Sequence, residues 1–357
     1  MKRRSFFLAA LVAVTLSVAM PGASADVGQP RTEGPKYDRN PTLVQDGPLT
    51  YLFFARSQAP CNRLAGCNPD NQDYDMYVKV SPDGGKTFGP DQFVAPNPDG
   101  PGPFWGRTLA ATVDAQGVIH VFWASGGNLG TLYQVVETGP GTFSPAQPVF
   151  GVPPLVFNVE AVTLGSDIYL YTEELASPYG IYARRFDGTT VTAGPTLVAA
   201  DKNLPKAIVD NQTGGCKMTM VDASRYPDVD VYTDASPDCL NWPAPERLIV
   251  SQPGVSNWDP SLGQLPNGNY YLFFAPDGEQ GAGRQRIALT KSNDFVRWSG
   301  PQVITPGYSG GVEYWDYWPE PFVRGNQLTL YYTSERGWNR VPHGTGHVWS
   351  VPGFGRT

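Results

Sequence analysis

Charge is scarce in this chain of 357 residues: Asp, Glu, Lys and Arg together make up 17%, against ~25% in an ordinary globular protein. Beyond Met20 no apolar run approaches the ~18 residues that a membrane span needs, so the chain past that point carries no spanning helix. Only three histidines occur, His120, His343 and His347, and none is near a cysteine, which argues against a structural zinc site. A Walker loop, a dinucleotide fingerprint, a G-x-S-x-G elbow and an H-E-x-x-H helix are all missing, and with them the commonest nucleotide, lipase-like and metalloprotease chemistries. No cofactor and no metal are expected. Low-complexity tracts are absent too, and 12% aromatic residues supply a large core, so the chain is not disordered.

What is abundant is punctuation. Forty Gly and 35 Pro break helices often enough to exclude a helical bundle or coiled coil and to demand many short strands joined by turns.

Residues 1–25 read as a cleaved signal peptide: Lys2, Arg3 and Arg4 precede an apolar run from Phe6 to Met20, and Ala23-Ser24-Ala25 is a small-x-small cleavage site. Arg3-Arg4-Ser5-Phe6-Phe7-Leu8 fits a twin-arginine leader as well as a general secretory one. Both routes give a secreted protein with one mature domain over 26–357. Cleavage removes three cations and takes the net charge from −7 to −10. That balance disfavours nucleic acid and anionic membrane surfaces as partners. An oxidising destination suits four cysteines, with Cys61 and Cys67 close enough to form one ring and Cys216 and Cys239 left to pair across neighbouring strands.

Six segments repeat one layout: a charged or Pro-containing leader, a strand, a Gly/Asn/Asp hairpin, and an aromatic second strand followed by a third. The leaders are Asp38-Arg39-Asn40-Pro41, Trp105-Gly106-Arg107, Asn158-Val159-Glu160, Leu204-Pro205-Lys206, Trp258-Asp259-Pro260 and Trp318-Pro319-Glu320-Pro321. Their aromatic strands begin at Tyr51, Ile119, Ile168, Met218, Tyr270 and Leu328. Starts spaced by roughly 50 to 65 residues suit four-stranded blades, so the fold class is all-β and the architecture a six-bladed propeller.

Ser81-Pro82-Asp83-Gly84-Gly85-Lys86-Thr87-Phe88 matches the Asp-box, S-x-D-G-G-x-T-[WF], with degenerate copies at Ser236 to Trp242 and Ser292 to Trp298. On these motifs the chain resembles the sialidase superfamily of propellers. The order Tyr37-Asp38-Arg39-Asn40-Pro41, strand, acid-bearing loop, strand and box is similar to that family's opening. The resemblance implies that Arg39 binds a substrate carboxylate and that Asp73, with Asp70 and Asp75 as rivals, is an acid/base. It also puts Asp259 where the family holds the Glu partner of its nucleophilic Tyr. No Arg stands in Tyr270 to Pro276 where that family has its second, so the chemical likeness is confined to the first blade. The Asp-Pro turn at Asp259 and the Glu-Pro turn at Glu320 also look like phrases of furanosidase propellers, including arabinanases and xylosidases, whose base and acid sit in such turns.

Leaders of innermost strands converge on one mouth of a propeller, which gathers Arg39, Arg107, Glu160, Lys206, Asp259 and Glu320. Loops are expected to add Asp70, Asp73, Glu173, Glu174, Arg225, Arg284, Glu335, Arg336 and His343, with Trp105, Trp258, Trp315 and Trp318 beside the leaders. Carboxylates next to aromatic rings suit a sugar, which offers C–H faces and hydroxyls. The expected activity is therefore a monomeric glycoside hydrolase on an oligo- or polysaccharide. Glu320, flanked by Trp and Pro, is the expected acid, with Asp259, Asp73 and Glu160 as its candidate partners. A ring of structural salt bridges, a glycan-binding propeller without turnover and a polysaccharide lyase are the competing readings.

Overall fold

A computed structural model describes residues 28–354 apart from 63–64, 70–71, 99–107, 126–129, 250–254, 278–284, 306–314 and 337–341. The expected leader, residues 1–25, lies outside the described residues, as do Asp70, Trp105, Arg107 and Arg284.

Six antiparallel sheets follow one another along the chain. Blade one is β2(Lys36–Asp46), β3(Leu49–Pro60), β4(Tyr74–Ser81) and β5(Gln92–Ala95). Blade two runs β6(Leu109–Val113), β7(Ile119–Ala124), β8(Leu132–Gly139) and β10(Gln147–Pro148), with the short β9(Thr142–Phe143) pairing β8. Blade three is β11(Val156–Leu164), β12(Asp167–Glu174), β13(Gly180–Phe186) and β14(Val191–Ala200); blade four is β15(Asn203–Val209), β16(Cys216–Asp222), β17(Asp230–Ser236) and β18(Glu246–Ile249). Blade five is β19(Asn257–Gln264), β20(Tyr270–Pro276), β21(Ala288–Ser292) and β22(Gln302–Val303). Blade six takes β23(Asp316–Arg324), β24(Gln327–Arg336) and β25(Pro342–Phe354) from the end of the chain and β1(Gln29–Pro30) from its start. Gln29 pairs Ser350 and Pro30 pairs Trp349, so the two ends of the described chain close the ring.

The aromatic segments become the second strands because blades stack face to face. A strand covered on both faces needs apolar residues at every position rather than at alternate ones. β7 is buried along its whole length, and in β3 Tyr51 to Phe54 are at most 1% exposed. Separate apolar clusters fill the spaces between neighbouring blades, as where Tyr51, Phe53 and Met76 of blade one meet Leu109, Val121 and Trp123 of blade two.

At the outer ends, three Ser-x-Asp hairpins satisfy their own backbones. Ser81 Oγ donates to Asp83, whose carboxylate also accepts from the N–H groups of Lys86 and Thr87 and from the Thr87 hydroxyl. Asp238 and Asp294 repeat the pattern with Leu240 and Asn241, and with Val296 and Arg297. Cys61 pairs with Cys67 and Cys216 with Cys239, at Cα separations of 5.4 and 5.0 Å. The second bridge ties the middle hairpin to β16.

Several residues expected in loops are strand residues. β12 continues through Glu173 and Glu174, and β24 through Glu335 and Arg336. The reason is pairing: Glu174 is buried against Arg184 and Thr172, while Glu173 takes bonds from the Asn158 amide, the Tyr179 hydroxyl and the Leu204 N–H. Such satisfied carboxylates stay in the ladder.

Candidate functional site

Proline decides how the leaders enter the mouth. It has no N–H for the ladder and pushes the residue before it out of the right-handed helical region. In four blades that preceding residue turns left-handed: Asn40 at φ 55°, Leu204 at 53°, Asp259 at 50° and Trp318 at 50°. Each coincides with a register break in the innermost pair, at Arg39/Thr42, Asn203/Lys206, Trp258/Ser261 and Tyr317/Glu320. Positive φ in a residue other than Gly costs on the order of 1–3 kcal/mol, and such strain concentrates at functional sites. Four quasi-equivalent kinks around one axis therefore mark where this fold departs from ideal strands.

The kinks line a small, half-open pocket between blades one, two, four, five and six, with Asn40, Thr108, Lys206, Asp259, Trp318 and Glu320 among its walls. At its polar side Lys206 Nζ lies 2.9 Å from Glu160 Oε2 of blade three and 3.0 Å from Glu320 Oε2. Both carboxyl groups thus reach one ammonium, and the two oxygens are no more than about 6 Å apart. Burial, with the Glu320 charge adding to it, raises the Glu160 carboxyl to about 7, although Lys206 and the Ala161 N–H pull the other way. Burial also disfavours the Lys206 ammonium, but the two carboxylates outweigh it and raise its pKa.

Asp259 Oδ2 is 3.4 Å from the Trp318 N–H, which joins the kinks of blades five and six. Arg39 is 1% exposed and lies over the rings of Tyr74 and Trp318, at 4.2 and 5.1 Å. Its neighbour Asp38 is held by Arg56 through two bonds, at 2.5 and 2.9 Å. Behind Trp318, the Tyr37 hydroxyl bonds the Tyr317 hydroxyl and Glu335 in a buried cluster.

Of the residues expected at the mouth, Lys206, Asp259 and Glu320 line the pocket, Glu160 joins them through Lys206, and Arg39 packs beside it on Trp318. Trp258 is half-buried, its ring 6.4 Å from that of exposed Tyr226. Trp315 packs against the core shared by blades one, five and six. Asp73 stands just before β4, its carbonyl accepting from the Gln58 N–H. Arg225 follows β16 and pairs with Asp230. The Arg336 and His343 side chains lie outside the described residues. Sequence reading placed Glu335 at the mouth but missed its partners, the hydroxyls of Tyr37 and Tyr317. The signal available was the phenol before each kink, Tyr37 two residues from Arg39 and Tyr317 beside Trp318.

No protein-family model and no curated protein matches this chain. Solved structures do. A protein of unknown function from Dyadobacter fermentans superposes with a TM-score of 0.64 at 15% identity, covering 91% of this chain and 96% of that one. The Hadza microbial sialidase Hz136 gives 0.57 at 15% identity over 88% of this chain, which spans 65% of that enzyme. An ulvan lyase of polysaccharide lyase family 25 gives 0.54 at 13% identity, covering 89% and 85%. At such identities the likeness establishes the propeller fold and its kinship in shape with sialidase and lyase propellers.

Proposed function

We propose that this protein is an exported glycoside hydrolase working at the axial pocket, with Glu160 as proton donor and Glu320 as its ionised partner. The observation that carries the reading is one ammonium between two carboxyl groups, where burial and the neighbouring Glu320 charge raise the Glu160 carboxyl to about 7, into the range in which it exchanges a proton near neutral pH. Glycosidic cleavage uses one protonated and one ionised carboxyl about 5 to 10 Å apart, and the oxygens that share Lys206 lie within about 6 Å of each other. Trp318, Pro41, Pro260 and Pro319 offer apolar faces to a sugar ring, and Asp259 and Arg39 offer polar groups at its edge. The structural neighbours include a sialidase and a polysaccharide lyase, which supports a carbohydrate as substrate. Two disulfides support an extracytoplasmic setting, and the Ser-x-Asp hairpins support the Asp-box reading.

A lyase is the second reading, favoured by Lys206, a cation able to neutralise a uronate, and by the phenols of Tyr37 and Tyr317 behind Trp318. Incubation with a panel of neutral, sialylated and uronate-containing glycans separates the cases. New reducing ends without ultraviolet absorbance support the hydrolase. Absorbance from a 4,5-unsaturated uronide replaces it with the lyase, and binding without turnover replaces both with a glycan-binding propeller.

A further inference from the structure

A second concavity, sharing no lining residue with the axial pocket, lies between the hairpin of blade one, the β23–β24 turn of blade six and the segment around β1. It is an open groove of about 340 Å³ lined by Arg31, Lys86 and Arg324, together with Gln29, Gln327 and Phe322. Three cations in one groove are out of character for a chain with a net charge of −7. Arg31 is anchored, its Nε donating to Ser350 Oγ at 2.7 Å and its Nη1 to the Lys86 carbonyl at 2.8 Å, and burial lowers its pKa. Lys86 and Arg324 take part in no ion pair among the described residues. The nearby acid, Asp83, has its carboxylate engaged by Ser81, Lys86 N–H and Thr87.

The hairpin itself shapes the groove. Gly84 adopts φ +78°, and a Cβ there would lie 1.4 Å from Arg324 Nη1. The Arg324 guanidinium therefore rests on bare backbone, and a side chain at position 84 would displace it.

We propose that this groove is a second glycan-binding site, separate from the axial pocket, for an anionic polysaccharide carrying carboxylate or sulfate groups. Guanidinium and ammonium groups suit such anions. The amides of Gln29 and Gln327 suit hydroxyls, and the Phe322 and Pro352 edges suit C–H faces, a mixture that fits a charged sugar chain. On the hydrolase reading proposed above, binding here would hold a polymer on the enzyme while the axial pocket works on it.

Affinity electrophoresis of the whole protein through gels containing dextran sulfate, polygalacturonate or neutral dextran tests the site at 50 mM salt. The wild-type protein is expected to be retarded by one or both anionic polymers and not by dextran. The double variant Lys86→Glu/Arg324→Glu is expected to bind at least about tenfold more weakly, because two attractive contacts become repulsive. A charge-matched control, Lys291→Glu/Arg297→Glu on blade five, is expected to bind as wild type. Gln327→Trp, which fills the groove without changing charge, is expected to weaken binding as well. Equal retardation of wild type and the Lys86/Arg324 variant, an equal loss in the blade-five control, or retardation by neutral dextran would overturn the proposal. Circular dichroism and melting of each variant separate loss of binding from loss of fold, and no step of the test depends on turnover at the mouth.

Discussion

The outer hairpins and the axial mouth use the same residue types to opposite ends. In the hairpins a carboxylate is surrounded by donors of its own turn. The Thr87 N–H and hydroxyl, with Ser81 and the Lys86 N–H, hold Asp83 well below the usual carboxylate range. Asp238 is lowered to about 2 because the Asn241 and Leu240 contacts outweigh its partial burial. At the mouth the partners come from other blades, and two carboxyl groups compete for one ammonium. There burial wins and Glu160 rises to about 7. Local satisfaction makes a staple; shared, incomplete satisfaction makes a group that exchanges its proton near neutrality.

The largest effect that would break this comparison is on turnover. Glu160→Gln keeps the shape and the bond from Ala161 but removes the proton, and is expected to lower kcat by at least about 10²-fold on the glycan that the panel identifies. Asp83→Asn, by contrast, is expected to leave kcat unchanged. Steady-state kinetics on both variants decide this.

Next comes pH dependence, where the two regions should differ in sign. Glu160 has a folded pKa above its ordinary value of 4.5, so between about 4.5 and 7 the folded chain holds more protons than the unfolded one. Its contribution to stability is complete below about 4.5 and is lost as pH rises through about 7. Asp238 behaves oppositely: its contribution is present above the ordinary value of 3.8 and is lost as pH falls through about 2. Denaturant melts of wild type and Glu160→Gln between pH 4 and 8 should show the first slope flattened in the variant. In kcat/KM the same group should give a basic limb near pH 7. Lys206→Met, which removes the opposing cation, should move that limb up.

A smaller effect sharpens the hairpin side. Cys216→Ser/Cys239→Ser removes the bridge between β16 and its hairpin and is expected to cost about 2–4 kcal/mol in urea unfolding, with kcat unchanged.

Fold was legible in the sequence to an unusual depth because each blade announces itself twice, in a Pro-containing or charged leader and in an apolar run too uniform for a one-sided strand. The runs beginning at Tyr51, Ile119, Ile168, Met218, Tyr270 and Leu328 all fall in second strands. Lys206 and its two carboxyl groups were legible as leaders, but which carboxyl would be buried was not. Glu320 sits between Trp and Pro in sequence, whereas Glu160 has bland neighbours and owes its burial to the convergence of other blades. Glu173 and Glu174 read as loop acids because their partners, Asn158, Tyr179, Arg184 and the Leu204 N–H, lie 10 or more residues away for all but Tyr179. The phenol cluster of Tyr37 and Tyr317, separated by 280 residues, was hidden for the same reason.

The most direct test of the account is a carbon-13 NMR titration of the glutamate side-chain carboxyls, with the Glu160 signal assigned by its loss in Glu160→Gln. A midpoint near pH 7 is expected for that signal, moving to lower pH in Glu320→Gln. A Glu160 midpoint near 4.5, unmoved by Glu320→Gln, would contradict it and leave the mouth a ring of ordinary salt bridges.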